Sequence, residues 1–578
     1  MKNTVGFCAD DSMRVSLRVE EADTRINRLL KKVFNGKKVS LELAEDYKGF
    51  SLLINTSEPF VPAAEILAQT GHSAEGYYLV CENNCMIVYS RHIRGFFYGI
   101  QTLRQIIENH AEFPACEIID CPDIKMRGAH FDLRLSHPTF ENLTAYIEEF
   151  AKYKINTLLI EYEDRFSFDR HPELRNKQLC LTDAQLDAIK QTAADNFIEI
   201  IPLQQSFGHL EYVLKHKQYE HLRENHESVG ELCPSKPETA ELVKSLLDEV
   251  IDKHPDAAFI HIGCDEVYSL CVCPACISQY GNSRERAFIG FVNQLIDHVA
   301  SRGKIPIIWH DMMEKCSDAE LSLLDKRAVV MIWLYYVQGS ETDIETAERF
   351  RANGIEVMGG CAARCSDNDL LQSYPVLRNR VPNIMKWAKS AKELAIGCVI
   401  GTNWGVNFSM GCPYGIFETS WYMVLLSAEA LWNASAGADG FLCRFLIEFH
   451  GLSGNEAAEY LDTDMLGYYR IIGGLADKLG KNRDLAELIG IMNEYGEYAR
   501  HVRNAASQAY RLAVWPDDEV EKLIYKNSRY LPAFEALEGI KIRMREKLAC
   551  YLPDPILRTF MESRFYLIDR LREYIKGL

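Results

Sequence analysis

The sequence predicts an α/β fold: a (β/α)8 TIM barrel over residues 123–435, with a small α+β domain at 1–122 before it and a helical region at 436–578 after it. Between residues 125 and 404, eight apolar, strand-like runs alternate with longer helical or loop stretches, the repeat a closed parallel barrel needs. Polar and aromatic residues gather just past the C-terminal ends of those runs, where barrel enzymes carry their chemistry. Beyond about residue 435 the periodicity turns helical, as in Asp484 to Tyr498, and no strand pattern returns.

The elements follow in chain order. Gly76 to Cys81 and Cys85 to Tyr89 are short β-like stretches, and Gly95 to Ile107 has the apolar spacing of a helix, a mixture that suggests a small α+β unit. Cys121-Pro122-Asp123 reads as a linker, because proline donates no ladder hydrogen bond and biases its predecessor away from helix. The barrel strands are expected at Lys125 to Leu133, Ile155 to Glu161, Ile198 to Leu203, Ala257 to Gly263, Ile305 to Trp309, Val329 to Trp333, Ile355 to Met358 and Gly397 to Trp404. A doubly wound open sheet is the alternative. No Gly-x-Gly-x-x-Gly turn follows the first strand, which weakens its dinucleotide-binding form.

Composition narrows the function. A chain of 578 residues with 47% hydrophobic residues buries several cores. Its 82 acidic and 64 basic residues give a net charge of −18, which repels phosphate backbones and anionic lipid, so neither nucleic acid nor membrane is an expected partner. Met1 to Ser12 lacks the apolar core of a signal peptide, and a cytoplasmic protein is expected. The 18 cysteines are spread through the chain, mostly in apolar runs, and read as reduced packing residues. Cys264, Cys271, Cys273 and Cys276 form the exception, with close thiol spacing that leaves a structural zinc open beside a free-thiol loop; no other cofactor is expected.

His261-Ile-Gly-Cys-Asp265-Glu266 is the most informative stretch. An apolar run ends there in two adjacent carboxylates, a pairing suited to acid/base chemistry. Successive side chains of a strand face opposite ways, so both acids share one pocket only if the strand breaks near Gly263-Cys264. Trp309, Trp333 and Trp404 end the fifth, sixth and eighth strands, and indole faces at a barrel mouth suit the apolar C–H faces of sugars.

With these residues in place, the chain resembles the family 20 glycoside hydrolases, the β-N-acetylhexosaminidases, and within them the hexosaminidase D-like branch. His261 to Glu266 is similar to that family's His-x-Gly-Gly-Asp-Glu signature, and Met126 to Asp132 to its first-strand Arg-Gly segment. Gly95 to Leu103, Ile118 to Pro122, Tyr162-Glu-Asp164, Phe207-Gly-His209, Leu232 to Ser235 and Trp309-His-Asp311 match in order. The resemblance implies an exo-acting enzyme releasing terminal GlcNAc or GalNAc with retention, the substrate's 2-acetamido group acting as nucleophile. It assigns Glu266 as general acid/base and Asp265 as the ionised partner of the acetamido group, with Tyr335, or Tyr336 beside it, bonding the acetamide oxygen. Arg127 takes the position of the arginine that binds outer hydroxyls, and Trp309, Trp333 and Trp404 would wall the sugar. Glu163, Asp164, His209, Asp311 and Glu418 are further substrate-binding candidates. Cys264 departs from the family's glycine, and Met358 to Arg364 lacks the usual tyrosine after the seventh strand, so acetamide activation falls to Tyr335. Two rivals stay open, a catalytically silent sugar-binding protein on this fold and a zinc-dependent hydrolase using the cysteine cluster; a homodimer through the helical region is open too.

Overall fold

The computed structural model describes residues 15–18, 23–34, 40–41, 50–54, 64–69, 73–82, 85–109, 114–134, 137–337, 343–366, 373–406, 412–514 and 519–577. The N-terminal strands are β1 (Val15–Arg18), β2 (Ser40–Leu41), β3 (Phe50–Ile54), β4 (Tyr77–Glu82), β5 (Cys85–Ser90) and β6 (Cys116–Asp120), ordered β2-β1-β3-β5-β4-β6. All pairs are antiparallel except β1 with β2. Apolar residues of the helices Thr24–Val33 and Ile93–Asn109, among them Leu30, Phe96 and Leu103, are buried in one core with Leu52, Leu79 and Val88 of the strands.

The barrel strands are β7 (Met126–Asp132), β8 (Thr157–Glu161), β9 (Glu199–Leu203), β10 (Phe259–His261), β11 (Ile305–Trp309), β12 (Val329–Trp333), β13 (Glu356–Arg364) and β14 (Cys398–Asn403). They pair in parallel in chain order, and β14 closes on β7. The closed barrel removes the open-sheet alternative. Its interior is filled by Leu159, Ile201, Leu203, Ile307, Trp309, Met331, Met358 and Ile400, so it is a packed core with its working surface at the strand ends.

Two departures from the expected strand bounds have a visible cause. β10 stops at His261 because Gly263 (φ 64°) and Cys264 (φ 71°) turn the chain into the left-handed region. β13 runs on to Arg364, beyond the expected Met358, through a Gly-Gly-Cys-Ala-Ala stretch that carries little hydrophobic signal. The small residues have a packing cause: a Cβ on Gly359 would lie 2.6 Å from the Trp387 ring, which packs on this strand from the helix Leu377–Glu393.

After the barrel the described chain is helical, and the helices Arg483–Val514, Leu531–Leu548 and Asp554–Gly577 share a core of Leu488, Tyr495, Phe534, Met544, Phe560 and Phe565. This region is docked onto the barrel. Thr139 N–H donates to Tyr551 O (2.9 Å), and the buried Arg564 guanidinium donates to the carbonyls of Pro413 (2.9 Å) and Tyr414. No helix of the described residues is long and apolar enough to cross a membrane.

Candidate active site

A cavity of about 210 Å³, open to solvent, lies at the C-terminal end of the barrel. Asp265 and Glu266 both line it, together with Arg134, Gln205, His209, Trp333, Tyr335, Tyr336 and Trp404. The adjacent acids reach one space because the strand has already ended, and Glu266 itself adopts φ 48°. For residues with a Cβ this conformation costs roughly 1–2 kcal/mol, an outlay the surrounding contacts must offset.

His209 Nε2 sits between the two acids, 3.4 Å from Asp265 Oδ2 and 3.2 Å from Glu266 Oε2. Gly208 permits that approach, since a Cβ there would lie 2.3 Å from Asp265 O. Asp311 holds the same loop from behind: its Oδ2 accepts Glu266 N–H (2.8 Å) and its Oδ1 accepts the Trp333 indole N–H (3.2 Å). Also in the lining, Trp404 Nε1 donates to Tyr335 Oη at 2.8 Å, fixing that hydroxyl.

Arg134 and Asp132 form a buried two-pronged pair, with Arg134 Nε to Asp132 Oδ1 at 2.8 Å and the second prong at 2.9 Å. Gly405 N–H donates to Asp132 Oδ2, and the guanidinium lies 5.4 Å from the Trp404 ring centre. Glu161 Oε2 is 3.8 Å from Arg134, and Glu161 Oε1 accepts from Gln205. The Arg134 guanidinium, with one edge held by Asp132 and its Nη2 also donating to Val406 O (3.2 Å), is a fixed cation in the cavity lining.

Several expectations about individual residues are corrected. Arg127 is fully buried at the start of β7 and does not reach the cavity. Its guanidinium is spent on Glu75 (2.6 Å) and on the carbonyls of Ile124, Lys125 and Lys154, with Trp432 4.8 Å away. The cause is strand alternation: Met126 faces the barrel interior, so Arg127 faces out, and the arginine at the cavity is Arg134. Trp309 lies in the barrel core, 4.3 Å from the His261 ring, and does not line the cavity. Glu163 and Asp164 form a tight turn after β8, where Asp164 is bound by Arg165 and Asn176, and neither lines the cavity. Glu418 is buried elsewhere, accepting from Tyr146 Oη at 2.6 Å, and Asp311 supports the wall without lining it. The cysteine set also changes. Cys264 Sγ bonds Ile262 O and Cys271 Sγ bonds Ser283 O, while Cys273 and Cys276 meet Cys233 and Glu224.

Sequence reasoning passed over Arg134, Gln205 and Tyr414. The signal for Arg134 was present, since Asp132 and Arg134 follow the interior-facing side of β7 past its end. Tyr414 lies on a loop without periodic pattern, and nothing local marked it.

Burial and neighbouring charge oppose one another around the cavity. Burial disfavours charge on Asp265, yet the His209 cation and its hydrogen bond hold the carboxyl below its ordinary 3.8. Burial likewise opposes charge on His209, but the Asp265 charge and bonds to Asp265 and Glu266 lift it well above 6.5. Asp311 is pushed up to about 8 by burial and then by the Asp265 charge, against its two N–H donors. Burial carries Glu161 to about 7; Arg134 opposes the rise, and the charges of Asp132 and Asp265 add to it.

These shifts fix a sign. Between 4.5 and about 7 folded Glu161 holds a proton that the unfolded chain has released, and Asp311 does so from 3.8 to about 8, so both make stability fall as pH rises. The His209 contribution is complete below 6.5 and is lost as pH climbs through its raised folded value. Asp265 contributes above 3.8 and loses that contribution as pH falls through its lowered folded value. The melting temperature is therefore expected to be higher near pH 6 (~6) than near ~8.5, with a shallower decline in Glu161→Gln. Thermal melts across that range check it; an unchanged slope in the variant contradicts the Glu161 assignment.

The comparisons with known proteins agree with this fold. Residues 125–357 match the catalytic domain of glycosyl hydrolase family 20, and residues 6–121 match domain 2 of the same family. Hexosaminidase D of Bos taurus is 28% identical over 337 residues, covering 55% of this chain and 96% of that protein. Hexosaminidase D of Homo sapiens is 29% identical over 294 residues, covering 48% of this chain and 60% of that protein. Among solved structures, the β-N-acetylhexosaminidase of Bacteroides fragilis NCTC 9343 shares the fold with a TM-score of 0.57 at 20% identity, over 75% of this chain and 90% of that one. The two family matches, in the right order on the small domain and the barrel, show that the chain belongs to glycosyl hydrolase family 20.

Proposed function

We infer that the protein is an exo-acting β-N-acetylhexosaminidase that releases terminal GlcNAc or GalNAc from glycosides with retention, using the substrate's acetamido group as nucleophile. The observation that carries this is the pair Asp265 and Glu266, neighbours in sequence, on one cavity wall with His209 between them. In the first step the acetamide oxygen attacks C1 as the glycosidic C–O bond breaks, and Glu266 gives its proton to the departing oxygen. Asp265 accepts the acetamide N–H and balances the positive oxazolinium. In the second step Glu266 takes a proton from water, the water oxygen attacks C1, and the bond between C1 and the oxazolinium oxygen breaks to restore the acetamide.

The remaining roles follow position. Tyr335 is the candidate donor to the acetamide oxygen: its oxygen already accepts from Trp404, which leaves its own proton to give. Tyr336 donates to Ser366 O at 2.6 Å, which favours Tyr335 between the two. Arg134 is the candidate for outer hydroxyls, Trp333 and Trp404 for the sugar faces, and His209 for holding the acids in register. The cavity is closed by the barrel below it, which fits a single terminal sugar. The spread of 18 cysteines through a large chain, mostly in apolar runs, supports a reducing, cytoplasmic setting.

The test compares 4-nitrophenyl β-GlcNAc and β-GalNAc with the matching β-glucoside. Turnover is expected on the acetamido sugars only, and Asp265→Asn is expected to lower kcat about 10²–10³-fold, the usual loss of one preorganised electrostatic partner. Equal turnover of the glucoside removes substrate assistance. Inhibitor binding without turnover by the intact protein would favour the silent sugar-binder.

A further inference from the structure

Beside the active-site loops lies a second cluster that the hydrolytic chemistry does not use. We propose that Cys233, Cys273, Cys276 and Glu224 bind one zinc ion in a closed tetrahedral site that ties the loop after β9 to the loop after β10.

Two chain segments supply the four ligands. Arg223 and Leu232 pair across an isolated antiparallel bridge, and Cys233 N–H donates to Leu222 O (2.8 Å), which sets Glu224 and Cys233 side by side. Cys273 caps the helix Pro274–Tyr280, and Cys276 follows one turn later, so Cys-x-x-Cys aims both thiols the same way. All four ligand atoms lie within 4.8 Å of one another. Cys233 Sγ is 3.5 Å from Cys273 Sγ and 3.4 Å from Cys276 Sγ, and Cys276 Sγ is 3.1 Å from Glu224 Oε2. A disulfide needs about 2.05 Å. Zinc–sulfur bonds of about 2.3 Å give tetrahedral edges of roughly 3.8 Å, so a small outward movement of the thiols accommodates the ion.

The surroundings are built for negative charge. Three thiolates and a carboxylate around a divalent ion leave a net negative site, and four donors face it. Val272 N–H and Cys273 N–H donate to Glu224 Oε1 at 2.7 and 3.0 Å, which turns Oε2 toward the sulfurs. Cys276 N–H donates to Cys273 Sγ (3.3 Å), and Ser235 Oγ donates to Cys276 Sγ (3.1 Å). Such outer partners orient ligands in zinc sites. Three soft sulfurs exclude magnesium and calcium as the preferred ion, and four protein ligands leave no open position for water, which makes the site structural. None of the four lines the cavity. The ion would thus brace the segments that carry His209 on one side and Asp265 and Glu266 on the other.

The test is metal analysis of the full chain purified without chelator, followed by titration of chelated protein with zinc chloride. About one zinc per chain is expected, with Cys233→Ser and Cys276→Ser each losing about tenfold or more of it and Cys271→Ser keeping it. Because a serine variant that unfolds also loses metal, wild-type protein is titrated as well: zinc is expected to protect three thiols from a thiol reagent and to raise the melting temperature. Chelated wild-type protein that takes up less than about a tenth of an equivalent overturns the proposal. So does a disulfide among these cysteines in the non-reduced protein.

Discussion

Replacing Glu266 by Gln is expected to lower kcat/KM about 10²–10⁴-fold, with the size of the loss set by the leaving group. Glutamine keeps the shape and an acceptor for His209 Nε2, 3.2 Å away, and the Asp311 anchor acts on the backbone N–H, which is unchanged. Only the transferable proton is removed. A 4-nitrophenyl leaving group departs with little protonation and so registers the smaller loss in the first step, whereas a disaccharide needs a full proton and registers the larger one. Kinetics on both substrates give the ratio. An equal loss on the two would mean that Glu266 acts through the fold of the loop and not by proton transfer.

The second large effect is on stability. Arg127→Ala is expected to cost about 3–5 kcal/mol, because it removes the close cation from the buried Glu75 carboxylate, leaving it Asn156 Nδ2 as a donor, and takes a donor from the carbonyls of Ile124 and Lys154. The folded fraction is expected to keep kcat and KM within about threefold, since the residue lies at the opposite end of β7 from the cavity. Arg134→Lys is the counterpart: a point charge replaces a guanidinium, Asp132 loses one of its two side-chain bonds to residue 134, and KM is expected to rise. Urea denaturation and steady-state kinetics on the two variants separate the roles. A normal stability with a raised KM in Arg127→Ala would reverse them.

What was legible in the sequence follows the range of each physical signal. Barrel strands of apolar residues, such as Val329–Trp333, announce themselves by composition, and the acids after β10 announce themselves by adjacency. β13 extends past its apolar start through residues of little hydrophobic signal, of which Gly359 makes room for the ring of Trp387, a residue far along the chain. Arg127 was misplaced for want of one step, the face on which an alternating strand puts it. The cysteine set was half right for a related reason: Cys273 and Cys276 are local, but Glu224 and Cys233 arrive from another loop, and no spacing rule within one segment finds them. Trp309, Trp333 and Trp404 end strands alike, yet only the latter two line the cavity.

Arg564, in the last helix, grips the carbonyls of Pro413 and Tyr414, and Tyr414 forms part of the cavity wall. The cavity wall is therefore completed by the helical region, from a residue 150 positions further along the chain. The rim reaches its finished shape only once that helix has docked, and removing the helix would leave the rim unmoored.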